Sequence, residues 1–399
     1  MAVQISFVFD FGYQFLALCY STPYQHPAWR TPLNAYWIIL LSSAVLSLGL
    51  TPLFRKIALR TNFVDSPSGQ LKRHTAPVPY LGGLAVYFAF LLTLFGAVVL
   101  LNPPDTPKIL AVAFGGTVMA ILGLSDDLFS LTPTLKFAVQ IIAAACLIFF
   151  GVHIKFIFNP WLDWVVTIFW VVGVTNALNL IDIMDGLAGG VTVLAALGFV
   201  FVPLSGEPGF VNLVAAALAG SVLGFLPFNY QPARIYLGDA GALFIGFVLA
   251  SVAMGESYTQ TNVVSLAAPL LILGIPLYDT ILVMFLRFLK GKSMFQGSPD
   301  HLALRLRFIG MSVKQVVYSL WGLTLLGCAA AFFLIRMSEK RAFVFLLAVF
   351  FAAMLWTLFI ALIPVDDPAQ RGWLLGRLRS KPESPRAARR KSKPKKSKR

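Results

Sequence analysis

Charge is what this sequence has least of. Asp, Glu, Lys and Arg make up 12% of its 399 residues, while apolar residues make up 58%, and a soluble globular chain carries roughly twice that charged share. With a mean hydropathy of +0.79, the scarcity excludes an ordinary soluble domain and makes the bilayer the main solvent. Cysteine is nearly absent as well. Cys19, Cys146 and Cys328 are far apart, with no CxxC or metal-ligand spacing, so no thiolate chemistry is indicated. The first 33 residues lack an early basic cluster, and Asp10 interrupts their apolar stretch, which argues against a signal peptide.

What is present is one apolar run after another. They lie near 34–54, 81–101, 108–125, 134–150, 161–180, 187–205, 210–227, 240–256, 262–286, 316–335 and 342–363, and predict an all-α polytopic membrane protein with about eleven transmembrane helices. The short, glycine-rich run at 240–256 is the least regular of them. Three regions follow: an outer-face N-terminal arm at 1–33, a transmembrane catalytic domain at 34–363, and a basic tail at 364–399. Arg55, Lys56, Arg60, Lys72 and Arg73 follow the first run, and Arg287, Lys290, Lys292, Arg305, Arg307 and Lys314 follow the ninth. By the positive-inside rule an odd count then predicts an outer N-terminus and a cytoplasmic C-terminus.

The net charge of +15 is largely a property of the tail. Residues 377–399 hold twelve Lys or Arg against Glu383 alone, broken by Pro382, Pro385 and Pro394, a composition expected to be disordered. A solvated tail and a tail drawn to anionic lipid headgroups are both open readings. Nucleic acid is not an expected partner of such a protein.

With only seventeen acidic residues in the chain, their positions are informative. Asp126 and Asp127 end the third run, Asp182 and Asp185 follow the fifth, Asp239 follows the seventh and Asp300 follows the ninth, so four loops bring carboxylates to one predicted face. Adjacent Asp126 and Asp127 repel unless a cation or proton lies between them. In Asn176-Ala-Leu-Asn179-Leu-Ile-Asp182-Ile-Met-Asp185-Gly186 a polar residue recurs every third position, giving a helix a polar stripe that is costly in lipid unless it faces a wet cleft, a ligand or a neighbouring helix. Hard oxygen ligands of this kind suit Mg²⁺ rather than zinc. Gly238-Asp239-Ala240-Gly241 places a carboxylate on a turn with close backbone access, either for a phosphate or as a turn alone.

Basic groups complete the pattern. In the 287–307 segment Arg305 and Arg307 are candidates to neutralise a pyrophosphate, and Asp300 is placed to orient His301. Asp279, inside the ninth run, is either functional or a bond to a neighbouring helix. Lys72-Arg73-His74 leads into Pro77-Val-Pro79-Tyr-Leu-Gly82-Gly83, read as a nucleotide-side loop or a helix start.

These motifs, in this order and spacing over residues 45–315, resemble the polyprenyl-phosphate N-acetylhexosamine-1-phosphate transferases. The resemblance implies Mg²⁺-dependent transfer of a sugar-1-phosphate from a UDP-sugar to a polyprenyl phosphate, with release of UMP and with Mn²⁺ as a substitute ion. It implies that Asp239 and Asn179 hold the metal, and that Asp126, Asp127, Asp182 and His301 are catalytic. Asn176, Asp185, Tyr236, Lys72, Arg305 and Arg307 would bind substrate, Tyr236 against the uracil. The expected setting is the cell membrane, with the site facing the cytoplasm and a homodimer allowed. Two departures stand out: Ile183 replaces the usual glycine after Asp182, and a histidine cluster is thinned to His301. The Pro-Thr-Met-Gly-Gly segment and triple-histidine loop of the lipid I enzyme are absent, so the resemblance favours the branch that initiates surface polysaccharides or teichoic-type polymers. The alternatives are a cation-coupled transporter, whose site would lie near mid-membrane between repeats, and an inactive scaffold homologue.

Overall fold

The computed structural model describes residues 33–65, 78–155, 159–202, 209–255, 263–291 and 300–363. The N-terminal arm to residue 32, Lys72 and its loop, residues 292–299 and the basic tail lie outside the described residues. Helices carry nearly all of the described chain, as a backbone in lipid requires. They are α1 (Leu33–Arg60), α2 (Gly82–Leu101), α3 (Thr106–Phe129), α4 (Pro133–Phe149), α5 (Pro160–Ile181), α6 (Leu187–Phe201) and α7 (Phe210–Asn229), then α8 (Gly238–Ala253), α9 (Ala268–Ile272), α10 (Gly274–Leu289), α11 (Leu302–Phe308), α12 (Val313–Leu334) and α13 (Glu339–Ala361). Two short strands, β1 (Val64–Asp65) and β2 (Val78–Pro79), pair antiparallel with Val64 opposite Pro79.

The number of spans differs from the sequence expectation. Among the described residues seven helices are long and apolar enough to cross a membrane, or eight if the bent pair α9–α10 is one span, so the eleven-helix reading is wrong. Three of the apolar runs form helices of 17, 15 and 16 residues, namely α4, α6 and α8. At about 1.5 Å per residue they reach about 22–26 Å, short of the ~30 Å hydrocarbon thickness. Apolarity marked these runs correctly as buried, but the solvent that buries them is protein as well as lipid. The assignment of the two termini to opposite sides rested on the count of eleven; seven spans would keep it and eight would undo it, so the count no longer fixes the sides.

Helix α8 shows why apolarity misleads. Every residue from Ala240 to Ala253 is buried, because α2, α3, α5, α6 and α7 pack around it. It is apolar on all sides because it is the centre of the bundle. The opposite case is α13, in which only Ala342 and Ile360 are buried and the remaining apolar surface is left to lipid. Between α9 and α10 the chain bends by 81° at Leu273. Gly274 and Pro276 follow at once, and Pro276 has no N–H to continue the ladder across the break.

Candidate active site

The site is built on the first turn of α8. Gly238 takes φ +70°, a left-handed conformation that a side chain would strain. Gly83 of α2 and Gly123 of α3 lie directly against the backbone of Gly241 and Asp239, where a Cβ atom on either would collide. Both neighbouring helices therefore reach the turn at backbone distance. No side chain of α8 or its flanking loop caps this helix. Asp127 does so from α3: its Oδ1 accepts from the Asp239 N–H at 3.1 Å and its Oδ2 from the Ala240 N–H at 3.2 Å. Asp127 thus acts on Asp239 by holding the turn that carries it. Replacing Asp127 with Ala should cost about 1 kcal/mol of stability, the usual size of a lost cap, and should lower activity more than tenfold by freeing Asp239. Unfolding in detergent together with turnover checks this; an Asp127→Ala protein of full activity would show that the cap has no bearing on the site.

Asp126, one residue earlier, faces the cavity. Its Oδ1 accepts from the Leu131 N–H at 2.7 Å, and its Oδ2 pairs with the Lys136 ammonium. Lys136 Nζ also lies 3.6 Å from Asp239 Oδ2, and the Asp126 and Asp239 carboxyls are within hydrogen-bond reach of each other. Two carboxyls this close need a proton or a cation between them, and the ammonium supplies one. The cavity has a volume of about 460 Å³ and is lined by Tyr80, Asp126, Asp127, Ser130, Leu131, Lys136 and Asp239.

Asp182 caps the end of α5, just past its last apolar turn. Burial, reinforced by the charges of Asp239, Asp127 and Asp185, pushes its carboxyl up to about 7. The folded protein therefore keeps this proton to near neutrality, while the unfolded chain loses it near pH 4. The group's contribution to stability is present below about pH 4 and is lost as pH rises through about 7. Without divalent cations, Asp182→Asn should melt relatively higher at pH 8 than the unaltered protein, with the gap narrowing at pH 5. A gap independent of pH would contradict this.

The rest of the polar stripe divides its tasks. Asp185 Oδ2 accepts from the Ala233 N–H at 3.0 Å, and the Gly186 N–H donates to Asn229 Oδ1 at 3.1 Å, so this loop is tied to the segment leading into α8. Asn176, expected to bind substrate, instead donates to Gln140 Oε1 at 2.7 Å and to the Val172 carbonyl at 2.7 Å. Asn179, expected at the metal, is partly buried one turn before Asp182 and does not line the cavity. Tyr236 joins the 78–83 segment through backbone bonds: its N–H donates to the Pro79 carbonyl at 2.8 Å, and its carbonyl accepts from Gly82 at 3.0 Å. Its ring centroid then lies 5.7 Å from that of Tyr80, which also meets Phe63 and lines the cavity, so Tyr236 stands behind Tyr80 in an aromatic ledge beside it.

His301 forms a second cluster. Its Nδ1 lies 2.7 Å from Asp279 Oδ2, and Asp279 Oδ1 accepts from the Leu302 N–H at 2.6 Å, all of it buried. The carboxylate orienting this imidazole is therefore Asp279, a contact across 22 residues, and not the adjacent Asp300. Asp300 instead binds Lys290 at 2.6 Å and Arg305 at 2.7 Å. Arg305 is 2% exposed and also donates to the carbonyls of Ile360 and Ile363, which makes it a tie to the end of α13. Arg307 donates to the Met311 carbonyl. Neither arginine lines the cavity, and nor does His301.

Sequence reasoning passed over Lys136 and Tyr80. Lys136 carried a signal: a cation in the first turn of a helix opposes the macrodipole, so its placement there calls for an acidic partner from elsewhere. Tyr80 stood inside a motif quoted for its prolines and glycines, and its aromatic character only matters once Tyr236 is seen beside it.

The donor set can be tested against a divalent ion. Among the described residues no three His, Cys, Asp or Glu side chains form a ready-made metal cage. With both oxygens of Asp127 held by backbone amides, Asp126 and Asp239 remain at the cavity. One or two carboxylates completed by substrate phosphates is the usual way of holding Mg²⁺, so these residues fit that ion with a phosphate substrate.

A family model described as Glycosyl transferase family 4 matches residues 109–256, which run from α3 through α8 and include the whole carboxylate cluster. The chain is 31% identical over 341 residues to a decaprenyl-phosphate N-acetylglucosaminephosphotransferase of Mycobacterium leprae, covering 76% of this chain and 85% of that protein. It is 30% identical over 319 residues to an undecaprenyl-phosphate alpha-N-acetylglucosaminyl 1-phosphate transferase of Thermotoga maritima, covering 79% and 94%. A probable undecaprenyl-phosphate N-acetylglucosaminyl 1-phosphate transferase of Bacillus subtilis is 29% identical over 289 residues, covering 70% and 79%.

Proposed function

The chain belongs to the polyprenyl-phosphate N-acetylhexosamine-1-phosphate transferase family, and from that premise we propose that it moves N-acetylglucosamine 1-phosphate from UDP-N-acetylglucosamine to a polyprenyl phosphate. UMP leaves, and the lipid-linked product primes a surface polysaccharide or teichoic-type polymer. The observation that carries this reading is the meeting of Asp126, Asp239 and Lys136 in one cavity beside the Tyr80–Tyr236 ledge.

An oxygen of the lipid phosphate forms a bond to the β-phosphorus of the donor, and the bond from that phosphorus to the bridging oxygen of UMP breaks. Bringing two anionic phosphates together is the main barrier. Lys136 holds positive charge where they meet. Asp126, fixed by the Leu131 N–H, takes any proton still on the acceptor phosphate. Tyr236 and Tyr80 offer ring faces to the base, which orients the pyrophosphate toward Asp239. Asp126 and Asp239 would hold Mg²⁺, which when bound supplies charge neutralisation on the pyrophosphate.

We place the site on the cytoplasmic side. Arg55 Nε donates to the Arg234 carbonyl, beside the Ala233 amide that binds Asp185, so the basic end of α1 and the site share one end of the bundle. A position at helix ends also disfavours a transporter with a mid-membrane site. A panel of UDP-sugars tests the donor: UDP-N-acetylglucosamine should turn over at least about 100-fold faster than UDP-glucose, since a site built to bond an amide leaves groups unpaired without it. Preference for another sugar would overturn the donor assignment and leave the reaction class standing.

A further inference from the structure

We infer that Gln140 is a positioning residue for Lys136, acting through a part-buried amide pair with Asn176. Helix α4 carries Lys136 in its first turn but has few anchors: Gln140, Ala143, Ala144 and Leu147 are its buried residues. Gln140 is 1% exposed. It accepts from Asn176 Nδ2 at 2.7 Å and donates to Asn176 Oδ1 at 3.4 Å. Three small or aliphatic contacts would let a short helix rotate or slide on its neighbour. A reciprocal amide pair does not, because a shift of register leaves the buried Gln140 amide unmatched. Gln140 lies four residues after Lys136, one turn deeper on the same face. Asn176 lies on α5, whose end carries Asp182. The pair therefore sets the register of α4 against α5 and, with it, the place of the ammonium between Asp126 and Asp239.

The consequence for turnover rests on the transferase reading, whereas the positioning itself does not, so two readouts separate them. In the purified full chain, the acetylation rate of Lys136 is measured by peptide mass spectrometry, with Lys108 as the internal reference. Gln140→Met, matched in length but without donor or acceptor, should raise Lys136 modification at least about fivefold and lower kcat about 10- to 100-fold, with KM for the UDP-sugar within about threefold, as expected for a misplacement near 1 Å. Exchanging the partners, Gln140→Asn with Asn176→Gln, restores an amide pair of equal total length and should return both readouts to within about threefold of the starting protein. Unchanged Lys136 reactivity and kcat in Gln140→Met would overturn the inference. If Gln140→Met does not fold, a folded exchange variant with fivefold faster Lys136 modification would overturn it as well. A shift in reactivity in a protein that never turns over would support the positioning and count against the transferase reading.

Discussion

Asp239→Asn should reduce UMP release by at least about 10³-fold while leaving the bundle intact. The side chain is nearly isosteric, and the contacts that hold this turn in place are backbone ones: the Asp127 cap and the close approach of Gly83 and Gly123. What the substitution removes is the Asp239 carboxylate, which lines the cavity together with Asp126 and the Lys136 ammonium. The expected signature is a fall in kcat with an unchanged melting profile. Near-normal turnover by the folded Asn variant would move the metal assignment away from this residue.

Lys136→Met should lower kcat about 10²- to 10³-fold, comparable to deleting a principal charge-stabilising group. It also makes a less obvious demand. Lys136 sits between the Asp126 and Asp239 carboxyls, so it competes for the position a divalent ion would take. Removing the ammonium should lower the Mg²⁺ concentration needed for half-maximal residual activity, even as the maximum falls. Lys136→Arg should recover little, since the planar guanidinium does not fit where a compact ammonium sits. Full turnover by Lys136→Met, or a raised Mg²⁺ requirement, would contradict the role given to this residue.

The carboxylates were legible because ionisable groups in an apolar chain are rare and costly, so their clustering at run ends carried meaning before any coordinates. Asp126, Asp127, Asp182 and Asp239 do converge. Their division of labour was not legible. Both Asp127 oxygens face backbone amides of another helix, and nothing in an Asp-Asp pair shows which carboxyl turns inward. Asn176 falls on the same polar stripe as Asn179 and Asp182, yet it points to Gln140 because α4 packs there, a tertiary fact that period-three spacing cannot carry. Asp279 and His301 meet only because the chain folds back after α10, whereas sequence adjacency favoured Asp300. The span count failed for a related reason. Hydropathy measures transfer out of water and does not distinguish lipid from the protein interior that surrounds α8.

The central claim is that this site moves a phosphoryl group together with the sugar. It is tested most directly by following the β-phosphate of UDP-N-acetylglucosamine, labelled at that phosphorus, in a reaction with undecaprenyl phosphate, Mg²⁺ and the purified full chain. The account predicts that the label passes into the lipid phase and that unlabelled UMP appears in equal amount. Label remaining in the aqueous phase as UDP, or no transfer by folded protein with any UDP-sugar, would contradict it.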